Sequence, residues 1–120
     1  MAFHWSDWPD DVLIRLREGC VIPASPLALT ADRQFNPQRQ KSLVRYYIDA
    51  GAGGIAIGVH TTQFEIREKG IYTIVLETVA NEINNWAKTE KETYIIKIAG
   101  LLGKTNQAKL EAVSYTHLTL

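Results

Sequence analysis

Apolar residues along this chain follow two alternating spacings, one typical of strands and one typical of helices. Residues 55–59 are continuously apolar, which predicts a parallel strand buried on both faces. Residues 93–99 are rich in β-branched side chains and predict a later strand, and residues 20–24 predict a shorter, earlier one. Between these runs, apolar residues recur at the spacing of one side of a helix. The predicted order is therefore one helix followed by three β-α units.

The first two predicted helices carry start and stop signals at their ends. Pro9, followed by acidic residues that suit the helix dipole, predicts a helix start, and Gly19 predicts its end. Asn36 predicts the cap of the second helix, because its side chain can accept a hydrogen bond from the first turn, and Gly51 predicts its close. Residues 27–35, just before that cap, have no clean period and predict a loop.

Two further helices follow the second and third predicted strands. The first covers residues 68–86, and the second begins at Thr105. The helical pattern breaks after Ala112, and residues 113–120 are β-prone with no capping signal before them. This break predicts a globular part, residues 1–112, followed by a tail, residues 113–120. We favour a tail that is not native, such as a translated sequencing adaptor, and the alternative is a genuine short strand.

The alternation of strands and helices limits the possible architectures. It predicts parallel βαβ units with right-handed crossovers, as in a doubly wound sheet or a stretch of a (β/α)8 barrel. A doubly wound nucleotide binder would carry a glycine-rich turn after a strand, whereas Gly51, Gly53 and Gly54 all precede theirs. The glycine positions therefore favour the barrel.

Composition and charge exclude several classes of function. The 120-residue chain has 13 Lys and Arg against 13 Asp and Glu and no basic block, so neither nucleic acid nor a membrane is an expected partner. Cys20, the single cysteine, is expected to be a buried thiol, and no second His or Cys stands at metal-ligand spacing. We therefore expect no metal and no cofactor. Without a signal peptide or an apolar run of about 18 residues, the sequence predicts a soluble cytoplasmic protein.

A group of polar side chains follows the strand predicted over residues 55–59. His60, Thr61 and Thr62 stand where this buried strand ends, a common position for binding and catalytic residues in α/β folds. As a general base, His60 would need a hydrogen-bonding partner, for which Glu65 is a candidate; the alternative is a structural histidine. The sequence therefore predicts a functional site at the end of this strand.

Three stretches of the chain, taken in order, carry a family resemblance. Residues 22–27, Ile-Pro-Ala-Ser-Pro-Leu, look like a first barrel strand and its Thr-Pro loop, with Ser25 for Thr. Residues 43–58 look like a first helix, its glycine turn and a second strand, and residues 95–100 look like a third strand with its Ala-Gly end. Together, over residues 18–112, they resemble the N-terminal part of the dihydrodipicolinate synthase / N-acetylneuraminate lyase family. The resemblance implies an α/β fold, a partial (β/α)8 TIM barrel of three β-α units preceded by a helix.

The resemblance also implies which residues bind substrate. In the family, a Gly-Thr-Thr-Gly-Glu motif ends the second strand, and its Thr pair helps to hold the carboxylate of a 2-keto acid. That pair aligns with His60 and Thr61 without a gap, or with Thr61 and Thr62 after a two-residue insertion. Thr61 is in the implied site either way. The family's Gly-Glu is replaced here by Thr-Gln or Gln-Phe, which leaves the substrate itself undefined.

The chemistry implied by the resemblance needs residues that this chain does not contain. Family members are class I aldolases: a lysine on the sixth strand forms a Schiff base with the keto acid, and a tyrosine on the fifth relays protons. Both would lie beyond residue 120, so we expect the chain to be an inactive N-terminal portion of a homo-oligomeric lyase. Lys97 is a possible imine former, but we expect its stem to pack and its amine to reach solvent. The alternative function is a non-catalytic α/β module for a small carboxylate or a protein partner.

Overall fold

Two of the three predicted β-α units form as strand and helix, and two helices precede the first strand. The computed structural model describes the backbone of residues 4–90 and 94–119, and the side chains of residues 4–87 and 94–113. Its regular elements are α1 Asp10–Glu18, α2 Pro37–Asp49, β1 Gly54–Ile57, α3 Tyr72–Glu90, β2 Ile96–Ala99 and α4 Thr105–Thr119. The chain is therefore a mixed α/β domain, as predicted.

β1 and β2 form a parallel two-stranded sheet. Gly54 lies opposite Ile96 at one end of the pair, and Ile57 lies opposite Ala99 at the other. Because both strands run in the same direction, the loops that follow them leave from the same edge of the sheet. The described sheet is open, and it does not close into a barrel.

Residues 21–25, here called the leading segment, run alongside β1 on the side away from β2. Three backbone hydrogen bonds of 2.9 Å join them to β1 and to the residue before it: Gly53 to Val21, Ala56 to Pro23, and Ser25 to Ala56. The only bridge between them is the parallel pair Ala24–Ala56. The strand predicted over residues 20–24 is thus a paired extended segment, because a proline has no N–H to donate to a ladder.

The helices cover one face of the sheet and leave part of the other exposed. Ile55 and Ile57 lie on the same face as Lys97 and pack into the core beneath α2 and α3. Ile98 lies on the opposite face, where 39% of its surface is exposed. The helices contribute to the core mainly the residues Val44, Ile48, Val75, Leu76, Val79 and Ile83.

The predicted ends of α2 are confirmed in detail. Asn36 accepts a hydrogen bond from the Arg39 N–H at 3.1 Å through its side chain. At the other end, Gly51 has φ 96°, and its N–H and that of Ala52 reach back to carbonyls in the last turn at 3.0 Å. This left-handed ending suits glycine, because a Cβ there would be strained.

The predicted bounds of α3, β1 and the last strand were wrong. α3 begins at Tyr72 instead of residue 68, because Gly70, with φ 72°, ends the preceding turns. β1 stops at Ile57 instead of residue 59, because Gly58 also has a positive φ of 74°. The third predicted strand is shorter than residues 93–99, and Thr93 lies outside the described residues.

The final helix does not end where the apolar pattern breaks. α4 continues through Thr119, so the short strand considered for residues 113–120 does not form over the described part of that range. Once a helix has begun, each further residue adds one backbone hydrogen bond, so α4 can extend past the point where the apolar pattern breaks. The division of the chain at Ala112 stays a prediction.

Candidate functional site

The turn that follows β1 lies against the end of the leading segment. Thr62 is fully buried and donates a 2.7 Å hydrogen bond from its hydroxyl to the Ser25 carbonyl. The exposed Thr61 places its hydroxyl 3.1 Å from the Ala24 carbonyl and 3.3 Å from that of Ser25. The structure therefore brings both predicted threonines to the carboxyl ends of two neighbouring parallel segments.

Gln40, on α2, completes this arrangement and was missed in the sequence. Its side chain is fully buried, and its oxygen accepts a 2.8 Å hydrogen bond from the Ala28 N–H. Its nitrogen donates to the Ser25 hydroxyl at 3.1 Å and to the Pro26 carbonyl at 3.2 Å. A signal was present, because Gln40 falls four residues before Val44 on the buried stripe of α2.

We call Ser25, Gln40, Thr61 and Thr62 the Ser25 corner. All its groups are neutral, and three of its four side chains are fully buried with their hydrogen bonds satisfied. Thr61 differs, since it is exposed and its hydroxyl contacts are longer. A carboxylate only accepts hydrogen bonds, so a ligand would need the Thr61 hydroxyl to turn from the backbone carbonyls toward it. Thr61 is the member of the corner able to do so without uncovering a buried group.

His60 lies at the rim of the corner and is exposed to solvent. Its ring packs edge-on against Phe64, with 5.9 Å between ring centroids and an interplanar angle of 88°. No hydrogen bond joins His60 to Glu65 in the described part of the chain. Glu65, the predicted partner, therefore does not orient the His60 imidazole. The contact that orients this ring is the one with Phe64.

A second polar cluster joins the ends of β1 and β2. Arg67 pairs with Glu111 of α4 at 2.7 Å through Nε, and their side chains are only 7% and 8% exposed. Nη2 of Arg67 donates to the carbonyls of Gly58, at 3.0 Å, and Gly100, at 2.8 Å. Tyr72 donates its hydroxyl to the same Gly100 carbonyl at 2.7 Å. We call Arg67, Tyr72 and Glu111 the Arg67 cluster.

Charge and burial shift the pKa values of two members of this cluster. Burial alone would raise the pKa of Glu111, but hydrogen bonds from Arg67, Gln107 and the Leu102 N–H, with the Arg67 charge, lower it overall. The pKa of Tyr72 is raised, first by burial and then by the Glu111 charge. The carboxylate and the neutral phenol are thus the favoured forms.

Most hydrogen-bonding groups of the Arg67 cluster bond to one another or to the strand ends. Nη1 of Arg67 is its one buried nitrogen without a hydrogen-bond partner among the described residues, and the guanidinium carbon lies 4.4 Å from the centroid of the Tyr72 ring. Cation–π attraction partly compensates for that missing bond. The cluster therefore holds α4 and the strand ends together.

Lys97 contacts α3 through its side chain. Its amine donates a 3.0 Å hydrogen bond to the Asn84 side chain of α3. Burial lowers the pKa of Lys97. The side chain thus lies on the helix-covered face, away from the Ser25 corner. The prediction that the aliphatic part of the Lys97 side chain packs is confirmed. The amine, which was expected to reach solvent, instead donates its hydrogen bond to α3.

Cys20 and Trp86 both make contacts that hold parts of the fold together. Cys20 packs directly against Gly53, where any side chain would clash with it. Trp86 donates from its indole nitrogen to Asp49 at 2.9 Å and lies under the guanidinium of Arg45. The Trp86 contacts join α3 to α2, and the Cys20 contact holds the start of the leading segment close to the residue before β1.

Groups that would hold a metal, or helices that would cross a bilayer, were sought in the described residues. No group of three or more His, Cys, Asp or Glu side chains gathers there in a way that could hold an ion. Within the same residues, no helix is both long and apolar enough to span a membrane. No protein-family model, curated protein or solved structure matches this chain.

Proposed function

We propose that the chain is part of a (β/α)8-type lyase of the dihydrodipicolinate synthase family and that Thr61 binds the carboxylate of its 2-keto acid. The order of the parallel units supports this proposal. The leading segment, β1 and β2 lie side by side in chain order, and α2 and α3 pack on one face of them. That order arises when each right-handed crossover adds its strand on the same side, as in a barrel.

The observation that carries the proposal is the backbone conformation of Gln63. Its φ is 65° and its ψ is 123°, a combination that glycine adopts far more readily than glutamine. If the family's Thr pair aligns with Thr61 and Thr62, the glycine that follows the pair falls on Gln63. The chain therefore turns as a glycine would at the position where the family has one, which favours that alignment.

The same alignment assigns different roles to the two threonines. Thr62 is buried and holds the turn against Ser25, so its hydroxyl is already committed. Thr61 is exposed and can present its hydroxyl to a carboxylate at the carboxyl edge of the sheet. His60 stands beside it at the rim. In this proposal Thr61 contacts substrate, and Thr62 positions Thr61.

Imine chemistry requires a lysine at the same edge of the sheet. Lys97 does not meet this requirement, because its amine bonds Asn84 under α3. In the family, the lysine and its tyrosine partner come from later strands. We therefore propose that this chain binds a keto acid through the Ser25 corner and does not itself form an imine.

A second proposed function is a non-catalytic module that binds a small carboxylate. It is favoured by the same observation, because the Lys97 amine bonds Asn84 and is not presented at the Ser25 corner. Both proposals predict binding at Thr61, and they differ in what a longer protein containing this segment would do. Borohydride reduction in the presence of pyruvate, followed by intact-mass measurement, separates them. The lyase proposal expects an adduct in a protein that adds later strands and none on this chain; the module proposal expects none in either.

Binding can be measured by isothermal titration calorimetry with pyruvate. Thr61→Val removes the hydroxyl and should weaken binding about fivefold, since one hydrogen bond contributes about 1 kcal/mol. Thr73→Val, at another exposed threonine at the start of α3, is the matched control and should change nothing. Equal affinity for Thr61→Val and the unaltered protein would refute the assignment, and a reduced adduct at Lys97 would refute its exclusion.

A further inference from the structure

A cleft of about 630 Å³ lies between the first two loops at the carboxyl edge of the sheet. One wall comes from residues 27–35, which follow the leading segment, and the other from residues 63–71, which follow β1. Its volume is within the range of small-molecule sites, and loops at this edge commonly bind ligands in parallel α/β folds. The Ser25 corner does not line this cleft.

The cleft has an apolar floor and a charged rim. Leu27, Phe35 and Ile71 line it and also pack against the main core, so its floor is anchored. Arg33 and Lys69 stand exposed on the two opposing walls. Neither cation forms an ion pair with any residue that the structure describes. Two exposed cations on the rim of an apolar cleft attract an anionic group whose remainder is apolar.

Backbone strain is concentrated in the walls of this cleft. Among the described residues, the only non-glycine residues with positive φ are Arg33, at 62°, and Gln63, at 65°. Both line the cleft, one on each wall. Strain of this kind persists where surrounding contacts impose it, and it gathers at ligand sites.

The wall that carries Arg33 is held in place before any ligand arrives. Thr30 and Gln34 close a tight turn around it, with the Thr30 N–H donating to the Gln34 carbonyl at 2.8 Å. The Gln34 N–H returns a bond to the Thr30 hydroxyl at 3.1 Å, and Leu29 pairs with Phe35 in an antiparallel bridge. A rigid loop loses little freedom when it binds, which favours affinity.

We propose that this cleft binds a small monocarboxylate with an apolar body, at a site separate from the Ser25 corner. The carboxylate lies between Arg33 and Lys69, and the hydrocarbon covers Leu27, Phe35 and Ile71. Glu65, also on the rim, reduces the local charge to a single net positive, which suits a monoanion better than a phosphate dianion. The proposal does not depend on the lyase assignment.

Octanoate, octanol and octylamine form a matched set of probes with the same apolar body. Calorimetry should show octanoate binding most tightly, because only its head group pairs with the two cations. Arg33→Gln and Lys69→Gln should each weaken octanoate binding by about tenfold or more, as expected for loss of one charge-assisted hydrogen bond. Lys109→Gln, an exposed cation on α4, is the control and should have no effect.

Amide chemical shifts show which site is occupied. Octanoate should shift the signals of Leu29, Arg33 and Lys69, and it should leave those of Ser25 and Thr61 in place. Pyruvate should shift the signals of Ser25 and Thr61 and leave those of Leu29, Arg33 and Lys69 in place. The two proposals can therefore fail independently. Equal affinity for octanoate and octanol, unchanged affinity in both charge variants, or absence of saturable binding at millimolar octanoate would each overturn this inference.

Discussion

The Ser25 corner and the Arg67 cluster do the same structural task with opposite chemistry. Each joins the carboxyl ends of two adjacent parallel segments: the corner joins the leading segment to β1, and the cluster joins β1 to β2. The corner uses neutral hydroxyl and amide groups, with Thr62 and Gln40 fully buried. The cluster uses a guanidinium and a carboxylate, each more than nine-tenths buried.

The difference between them indicates where a ligand can bind. Removing charges from water is costly, so the Arg67 cluster must use its donors and acceptors internally to be stable at all. The neutral corner carries a smaller desolvation cost and leaves one hydroxyl, that of Thr61, at the surface. A parallel sheet can therefore have its structural and its ligand-binding polar groups at the same edge, separated by charge and burial.

The largest expected effect comes from breaking the Arg67 cluster. Arg67→Met leaves the Glu111 carboxylate buried without its partner, and it should lower the free energy of unfolding by about 3–5 kcal/mol. Urea denaturation measures this directly. Arg39→Met, at an exposed cation on α2, should change the value by less than about 0.5 kcal/mol. The double variant Arg67→Met with Glu111→Leu should recover much of the loss; failure to recover would contradict a charge-based explanation.

A smaller effect is expected within the Ser25 corner, and it should differ between the two threonines. Thr62→Val removes a buried 2.7 Å hydrogen bond and should lower the free energy of unfolding by about 1–3 kcal/mol, because the Ser25 carbonyl loses the shorter of its two hydroxyl contacts. Thr61→Val removes longer contacts at the surface and should cost less than about 0.5 kcal/mol. Thermal and urea unfolding of the two variants, side by side, test this. An equal loss of unfolding free energy in the two variants would mean that the Thr61 hydroxyl stabilises the fold as much as that of Thr62.

Gln63 joins the corner to the cleft, and its backbone strain can be relieved. Gln63→Gly should raise the free energy of unfolding by about 1 kcal/mol, since glycine adopts φ 65° without a Cβ clash. Lys41→Gly, at an exposed position inside α2, is the opposite control and should lower the free energy of unfolding by about 1 kcal/mol. A Gln63→Gly protein that is less stable than the unaltered one would show that the turn is not strained.

The smallest effect expected is a change in how stability depends on pH. The pKa of Glu111 in the folded protein lies below its usual 4.5, so its stabilising effect is present above that value. The effect is lost as pH falls through the lowered folded pKa. The stability gap between the unaltered protein and Glu111→Gln should therefore narrow between neutral and acidic pH. A constant stability gap for Glu111→Gln across that pH range would contradict the lowered pKa of Glu111.

Local signals in the sequence were enough to predict the order of the four helices and the last two strands, and the ends of α2. Asn36 and Gly51 act through contacts within a few residues of themselves, so their roles can be inferred without a fold. The position of Thr61 and Thr62 at a strand end was predictable for the same reason. Gln40 was also within reach, because a polar residue on the Val44 stripe must find buried partners.

What the sequence could not predict depends on distant parts of the chain. The pairing of Arg67 with Glu111 joins residues 44 positions apart and requires α4 to be in place. The orientation of Lys97 depends on strand register, since a shift by one residue would turn it to the other face. The start of α3 was missed because Gly70 ends a turn within an otherwise helical pattern.

In the proposed function, Thr61 presents a carboxylate-binding hydroxyl at the Ser25 corner. Amide chemical-shift mapping with pyruvate on the isotope-labelled chain tests it most directly. We predict saturable shifts at Ser25, His60 and Thr61, lost in Thr61→Val and kept in Thr73→Val. Shifts that are absent from these residues, or that persist unchanged in Thr61→Val, would contradict the claim.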